Sequence, residues 1–293
     1  MPRTTQPAGS IAERRVSGLV VYAGEPGAFA EDAVLASRGD VARRAVPGFR
    51  EAFEAVAAGG EADVGVVPIE NLVNGTVREN YDLLLEHDLD IIGEVVVPVR
   101  LCLAALPGQR IDEIERVYSH IQALGQAEAF LRTRPWTTLT TYNTAGAGKL
   151  IVERGERGAA AVLSLRAAGL FGLEILADGV QSVEDNRTRF FVIARKDRPA
   201  ERRQPDAVRR TTLAFAVRNE PGALLRALGA FAGRGVNLSK LESRPSRSTA
   251  WEYVFFVDID ADADEPACAA ALDDLRAVST MVRVLGSYDR AGS

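Results

Sequence analysis

Apolar and polar residues fall into short blocks along this chain, and the blocks repeat in a strand–turn–helix rhythm. Leu19–Tyr22 is an apolar run read as a strand. It opens into Ala23-Gly24-Glu25-Pro26-Gly27-Ala28-Phe29-Ala30-Glu31, a glycine-bearing turn that passes into helix formers. Phe49, Phe53 and Val56 recur at helical spacing, and Ala62–Asn71 reads as a buried strand ending in a proline and two polar residues, Glu70 and Asn71. An Asn74-Gly75 turn, a helix over Asn80–His87 and a strand over Ile91–Val99 follow. His87 ends its helix and reads as a C-terminal cap.

A second lobe is expected from near Pro98. It holds an apolar strand at Leu101–Leu106 and two more polar strand-to-helix turns, at Val117–Gln126 and Asn143–Lys149. Further short strands follow at Ala159–Leu163 and Leu173–Leu176. Val183–Arg195 then runs from a polar loop, Glu184–Arg189, into the apolar strand Phe190–Ala194. Repeated βα units predict an α/β fold, and polar turns from two lobes predict a cleft between them. After a charged, proline-bearing stretch over Arg195–Arg210 the texture changes. Leu213, Phe215 and Val217 alternate, Leu224, Leu225, Leu228 and Phe231 have helical spacing, and Leu238–Arg244 is a strand. Ser246–Ala250 reads as a turn, and Tyr253, Phe255, Val257 and Ile259 alternate again. A helix over Pro266–Ala277 and a strand over Val282–Leu285 complete a βαββαβ order, the ferredoxin-like split unit.

Composition narrows the function. The 293 residues are 47% hydrophobic with a net charge of −5, which argues against nucleic acid. Cys102 and Cys268 lie far apart and His87 and His120 form no cluster with them, so neither a disulfide framework nor a zinc site is expected. The first seventeen residues carry Arg3, Glu13, Arg14 and Arg15 and no apolar core, so no secretory leader and no membrane span are read, and a reducing, cytoplasmic setting is expected. Lysine occurs only at Lys149, Lys196 and Lys240, a skew read as genome composition. Chemistry is expected at the turns. Glycines at Gly24 and Gly27 allow close backbone approach and lead into a helix start suited to an anion, as do the small residues at Thr144–Gly146. Glu70 and Asn71 stand at the carboxyl end of a strand, where α/β folds bind ligands. Ser119 and His120 are adjacent, but neighbouring strand residues face opposite ways and no acidic partner is identifiable, so a serine hydrolase is set aside.

Taken together, Y-A-G-E-P-G-A-F, V-V-P-I-E-N with N-G-T-V, Y-S-H-I-Q-A-L-G-Q, N-T-A-G-A-G-K and N-R-T-R-F, followed by N-E-P-G-A-L-L and L-E-S-R-P, resemble prephenate dehydratase with a C-terminal ACT domain. The resemblance runs from about Leu19 to the end, and N-Y-D-L-L-L-E-H also resembles the plant arogenate dehydratases. It implies a two-lobed, periplasmic-binding-protein-like (type II) catalytic domain over 18–198, with lobe 1 at 18–98 plus 177–198 and lobe 2 at 99–176. A tail at 1–17, a linker at 199–209 and a ferredoxin-like ACT domain at 210–290 complete the division. The implied reaction takes prephenate to phenylpyruvate with loss of carbon dioxide and water, without metal or cofactor. The family gives the proton-donating role to the threonine of T-R-F, Thr188, and Asn186 and Arg189 join it as catalytic candidates. Gly24, Gly27, Ala28, Glu70, Asn71, Ser119, His120, Gln122, Thr144, Ala145 and Gly146 are expected to bind substrate. Strand alternation sets Thr188 and Arg189 on opposite faces, which leaves a structural ion pair as the other reading of Arg189.

For the ACT domain the resemblance implies feedback by phenylalanine, bound where copies pair as a homodimer or homotetramer, by Asn219, Gly222, Ala223 and Leu224 with Glu242, Ser243, Arg244 and Pro245. Other readings of these residues are a helix start at Gly222 and an Arg244–Glu242 pair. Three departures stand out. Ala28 and Ala30 replace both hydroxyls of the family's G-T-F-S, Ile121 replaces the proline of S-H-P-Q, and the stretch before Leu19 is too short for the chorismate mutase fused to some relatives. Two competing functions remain: arogenate dehydratase, which shares every motif, and a non-enzymatic amino-acid sensor.

Overall fold

The computed structural model describes residues 18–60, 62–198, 207–245 and 253–292. The expected tail at 1–17, most of the expected linker and the Ser246–Ala250 turn lie outside the described residues. Lobe 1 comprises β1 (Leu19–Ala23), α1 (Phe29–Arg38), β2 (Arg43–Val46), α2 (Phe49–Ala58), β3 (Ala62–Asn71), β4 (Gly75–Thr76), α3 (Arg78–Glu86) and β5 (Leu89–Pro98). Lobe 2 comprises β6 (Leu101–Ala105), β7 (Arg116–Ser119), α4 (Ile121–Gln126), α5 (Glu128–Leu131), β8 (Thr137–Thr140), α6 (Thr144–Arg154), β9 (Ala159–Ser164), α7 (Leu165–Leu170) and β10 (Glu174–Asp178). The chain then returns to lobe 1 as β11 (Arg187–Arg195).

Strand order in lobe 1 is β2-β1-β3-β11-β5 with β4 on β3, and in lobe 2 it is β10-β6-β9-β7-β8. The lobe 2 sheet therefore runs to Asp178, two residues past the boundary read from sequence. β3 and β11 are central and buried on both faces, which is why their sequences are nearly continuous Val, Ile and Phe. In β9, Ala-Ala-Ala-Val-Leu-Ser is wholly buried, and its small side chains let α6 and α7 pack close. The two connections between the lobes are tied together, because Val99 donates its amide to the Asn186 carbonyl at 2.8 Å. β11 thus starts at the hinge.

The third unit comprises β12 (Arg209–Ala216), α8 (Ala223–Ala232), β13 (Leu238–Pro245), β14 (Tyr253–Ile259), α9 (Pro266–Val278) and β15 (Met281–Asp289). Its four antiparallel strands lie in the order β13-β14-β12-β15. One face, with Leu213, Phe215, Val257 and Ile259, packs on α8 and α9. The other face is buried too: Ala214, Val254, Phe256, Leu285 and Tyr288 share one core with Phe191, Ile91 and Tyr81 of lobe 1. β15 lies so close over β5 that a side chain at Gly286 would overlap the Ile91 carbonyl oxygen. The third unit is seated directly on the lobe 1 sheet. Among the described residues no helix is long and apolar enough to cross a membrane.

Candidate active site

A cleft of about 920 Å³ opens between the lobes, with Thr188 and Phe190 of β11 lining it beside the hinge. Its polar centre is Asn71, the last residue of β3. The Asn71 Oδ1 accepts the amides of Val73 and Asn74 at 3.0 and 2.9 Å, a side-chain-closed turn that fixes the amide plane. With the plane fixed, Nδ2 donates to the Asn186 Oδ1 at 2.9 Å, the Arg187 carbonyl at 3.2 Å and the Thr188 Oγ1 at 2.9 Å. Asn71 and Asn186 are 7% and 1% exposed, so these bonds are sheltered from water and hold Thr188 firmly. Thr188 Oγ1 accepts from an amide and, among the described residues, its own proton has no acceptor. A hydroxyl polarised in that way presents its proton to the cleft.

Around this centre the cleft collects helix starts. The first residues of α1, α2, α3, α4 and α6 all line it. Each leaves amides without helical partners, and such helix starts suit an anion. At α1 the amides of Phe29 and Ala30 are the ones left over, because Ala28 donates to the Glu25 carbonyl and Glu31 to the Ala28 carbonyl. At α6 the Asn143 side chain takes the Gly146 amide at 2.5 Å and leaves those of Thr144 and Ala145. Two cations, Arg50 and Arg78, and two carboxylates, Glu51 and Glu79, also line the cleft, and Arg50 pairs with Glu86 at 2.8 Å. His120 caps α4, its Nδ1 accepting the Gln122 amide, and burial pushes its imidazole below the ordinary value, toward the neutral form.

Of the residues singled out in the sequence, Gly24, Ala28, Asn71, His120, Gln122, Thr144, Ala145 and Thr188 line the cleft, and Asn186 touches it through Asn71. Several others do not, and their assignments are corrected. Arg189 points from the opposite face of β11 into the interface with the C-terminal sheet, 2.7 Å from Asp258 and 3.3 Å from Glu94. Glu70 shares that face and pairs with Lys240 at 2.8 Å. Ser119 is fully buried, its Oγ donating to the Val162 carbonyl at 2.6 Å. Gly27 joins the lobes: its amide goes to Glu31, its carbonyl accepts from Ser164 at 2.7 Å, and a Cβ there would come within 2.7 Å of the Ala167 Cα. Gly146 spends its amide on Asn143 and sits under Tyr142.

Tyr142, Asn143, Gln126, Thr76, Arg50 and Arg78 line the cleft and were missed. Gln126 and Asn143 were legible in principle, the one closing the Y-S-H-I-Q-A-L-G-Q run and the other an N-cap before a helix. The two arginines carry no local signal.

In the third unit, Gly222 starts α8 in the left-handed conformation (φ 79°), with Ala223 buried behind it. Arg244 pairs with Asp82 of lobe 1 at 2.7 Å, not with Glu242, and Glu242 accepts the Thr76 hydroxyl at 3.0 Å. Leu224 packs partly buried in the core under the helices, while Asn219 is exposed in the loop before them.

The prephenate dehydratase family model matches residues 20–198, and the ACT domain model matches 211–277. The chain belongs to the prephenate dehydratase family. It is 40% identical over 295 residues to arogenate dehydratase 5 of Arabidopsis thaliana, covering 92% of this chain. It spans 67% of that protein and 62% of the bifunctional chorismate mutase/prephenate dehydratase of Aquifex aeolicus. Among solved structures, prephenate dehydratase of Arthrobacter aurescens in complex with L-Phe matches at TM-score 0.83 and 32% identity, covering 93% of this chain and 90% of that one. A protein described as a novel type of quorum quenching acylase, GqqA, matches at TM-score 0.84 and 33% identity, covering 93% and 98%. These likenesses account for the two-lobed domain and the ACT domain together.

Proposed function

We propose that this protein is a prephenate dehydratase, converting prephenate to phenylpyruvate, carbon dioxide and water. The observation that carries the reading is the Asn71–Thr188 pair beside a cleft onto which five helix starts converge. Prephenate brings two carboxylates, and the unpaired amides of α1 and α6 supply donors on both lobes. The ring carboxylate leaves as carbon dioxide, its C–C electron pair moves into the ring, and the ring C–O bond breaks at the far carbon. Hydroxide is a poor leaving group, so the departing oxygen must take a proton or a strong hydrogen bond, and the Thr188 hydroxyl is the donor placed to supply it. The aromatic ring formed lowers the demand on so weak an acid.

The same geometry serves arogenate, which differs in carrying an ammonium where prephenate has a keto group, and arogenate dehydratase is the second reading. An acylase is disfavoured, because a nucleophilic hydroxyl needs a base and the hydrogen-bond partner of Thr188 is an amide donor. The ACT domain is proposed to take phenylalanine with Asn219, Gly222, Ala223, Leu224, Glu242, Ser243, Arg244 and Pro245, in a homodimer or homotetramer joined through ACT domains, in the cytoplasm. The test supplies prephenate and arogenate in parallel to purified protein, with and without phenylalanine. Phenylpyruvate formation suppressed by phenylalanine supports the reading. Turnover of arogenate alone moves the assignment to the sister enzyme, and phenylalanine binding without turnover leaves a sensor.

A further inference from the structure

Strand β13 does more than carry residues for an effector. Three side chains on one of its faces each hold a residue of lobe 1: Lys240 meets Glu70 at 2.8 Å, Glu242 accepts the Thr76 hydroxyl at 3.0 Å, and Arg244 meets Asp82 at 2.7 Å. The period of two is the strand's own, so one face of β13 reads along one stretch of lobe 1, from the end of β3 through β4 to the middle of α3. That stretch is a wall of the cleft, to which Thr76, Val77 and Arg78 contribute. It also carries Asn71, the residue that holds Thr188.

Lobe 1 holds the wall by its backbone, with Leu72 donating to the Arg187 carbonyl at 3.0 Å and Val77 to the Ile69 carbonyl at 2.9 Å, and by the buried Tyr81, Leu83 and Leu84 of α3, while the β4 pairing itself is short. β4 is two residues long and pairs with β3 at two positions, Glu70↔Thr76 and Asn71↔Gly75. A hairpin of that size is not stable by itself. Leu72 and Val73 at its tip are 66% and 43% exposed, so the tip buries nothing that would anchor it. By contrast the Arg244–Asp82 pair is sheltered, its side chains 16% and 7% exposed, and an ion pair out of water is screened less than a surface one. β13 adds side-chain anchors at Thr76 and Asp82 to these backbone bonds.

We propose that Glu242 and Arg244 are positioning residues for the cleft, clamping the β4–α3 wall through Thr76 and Asp82. Neither touches the reacting atoms. Glu242 fixes the wall at its thin end and Arg244 at its helical end, and Arg78 is presented to the cleft between them. As a statement about catalysis this rests on the prephenate dehydratase reading. An amino acid that recruited Glu242 or Arg244 for its own ammonium or carboxylate would draw on the same bonds, loosen the wall and weaken substrate binding. The effector strand and the cleft wall share two side chains.

The test compares wild type with Glu242→Ala, Glu242→Gln, Thr76→Val and the Thr76→Val/Glu242→Ala double variant, with amide hydrogen exchange read first and without substrate. Glu242→Ala is expected to speed exchange of the Gly75–Val77 amides roughly tenfold, as for the loss of one hydrogen bond, while β9 is unaffected. Glu242→Gln keeps an acceptor for the same hydroxyl and is expected to restore protection. In turnover, Glu242→Ala raises KM for prephenate roughly three- to tenfold with kcat nearly constant, Thr76→Val does the same, and the double variant adds nothing further. Unchanged exchange at Gly75–Val77 in Glu242→Ala, or effects of the two single variants that simply add, would overturn the clamp. Exchange needs no substrate, so wild-type protein that shows the clamp but turns over neither prephenate nor arogenate would retire the functional reading and leave this one standing.

Discussion

The Asn71 amide and the Thr188 hydroxyl stand 2.9 Å apart with the amide as donor. The direction matters. A hydroxyl that accepts from a fixed amide has one of its two lone pairs occupied and its proton left for another partner, and hydrogen bonds in series polarise one another. Thr188→Val keeps the shape and removes the proton, and is expected to lower kcat about a hundredfold or more while KM stays within about threefold. Thr188→Ser should retain most of the rate. Asn71→Ala should lower kcat in the same sense, because the hydroxyl loses its orienting donor. Steady-state kinetics on prephenate decides, and a Thr188→Val protein with wild-type kcat would remove the residue from the mechanism.

Arg189 is expected to matter to stability and not to substrate. Its guanidinium lies between Asp258 and Glu94, whose side chains are 2% and 1% exposed, and Arg210 completes the group at 3.0 Å from Glu94. Removing one member leaves buried carboxylates uncompensated, so Arg189→Ala should cost about 3–5 kcal/mol in urea unfolding. Arg189→Lys should recover part of that. KM should be unchanged in protein that remains folded, and a stable Arg189→Ala enzyme with a raised KM would return the residue to the substrate site.

Gly27 joins the lobes at a positive φ of 88°, with its Cα hydrogens toward Ala167. Gly27→Ala is expected to lower stability by about 1–3 kcal/mol from the forced separation, beyond the backbone penalty. Gly39, at φ 71° with nothing within 4 Å of an added Cβ, isolates that penalty. Thermal unfolding of Gly27→Ala beside Gly39→Ala therefore gives the interlobe contact by difference. Equal shifts in Tm would mean that the contact contributes nothing.

His120 supplies a pH dependence of known sign. Burial lowers its imidazole below the ordinary 6.5, so as the pH falls the unfolded chain takes up the proton first. Stability is complete above about 6.5 and falls as the pH drops from there. His120→Asn keeps an acceptor for the Gln122 amide and cannot titrate. Its urea midpoint should drop less than that of wild type between about pH 7.5 and 5.5.

Much of this was legible from periodicity. The βα rhythm marked the two lobes, and the Asn-Gly turn after Glu70-Asn71 placed Asn71 at a strand end. Arg189 and Glu70 misled because their surroundings belong to another domain. A polar residue at the mouth of a strand looks alike from sequence whether it faces a ligand or a packed sheet. The clue lay in β14, where Val254 and Phe256 alternate with Tyr253, Phe255 and Val257, so that both faces of the strand are largely apolar. An apolar run of that kind calls for a partner on each side, and the second partner is the catalytic sheet. Ser119 misled for the opposite reason. A hydroxyl at the end of a strand can be satisfied by a neighbouring strand, and no local pattern distinguishes that from a hydroxyl that faces a ligand.

Because consecutive residues of β11 serve the cleft and the regulatory sheet, the two domains are not interchangeable parts. A graft of this ACT domain onto a foreign catalytic domain would carry Asp258 and Arg210 into the seam without Arg189 and Glu94 to receive them. Their charges would be buried unmatched, and the seam would open. Anyone recombining such enzymes must move the two pairs together.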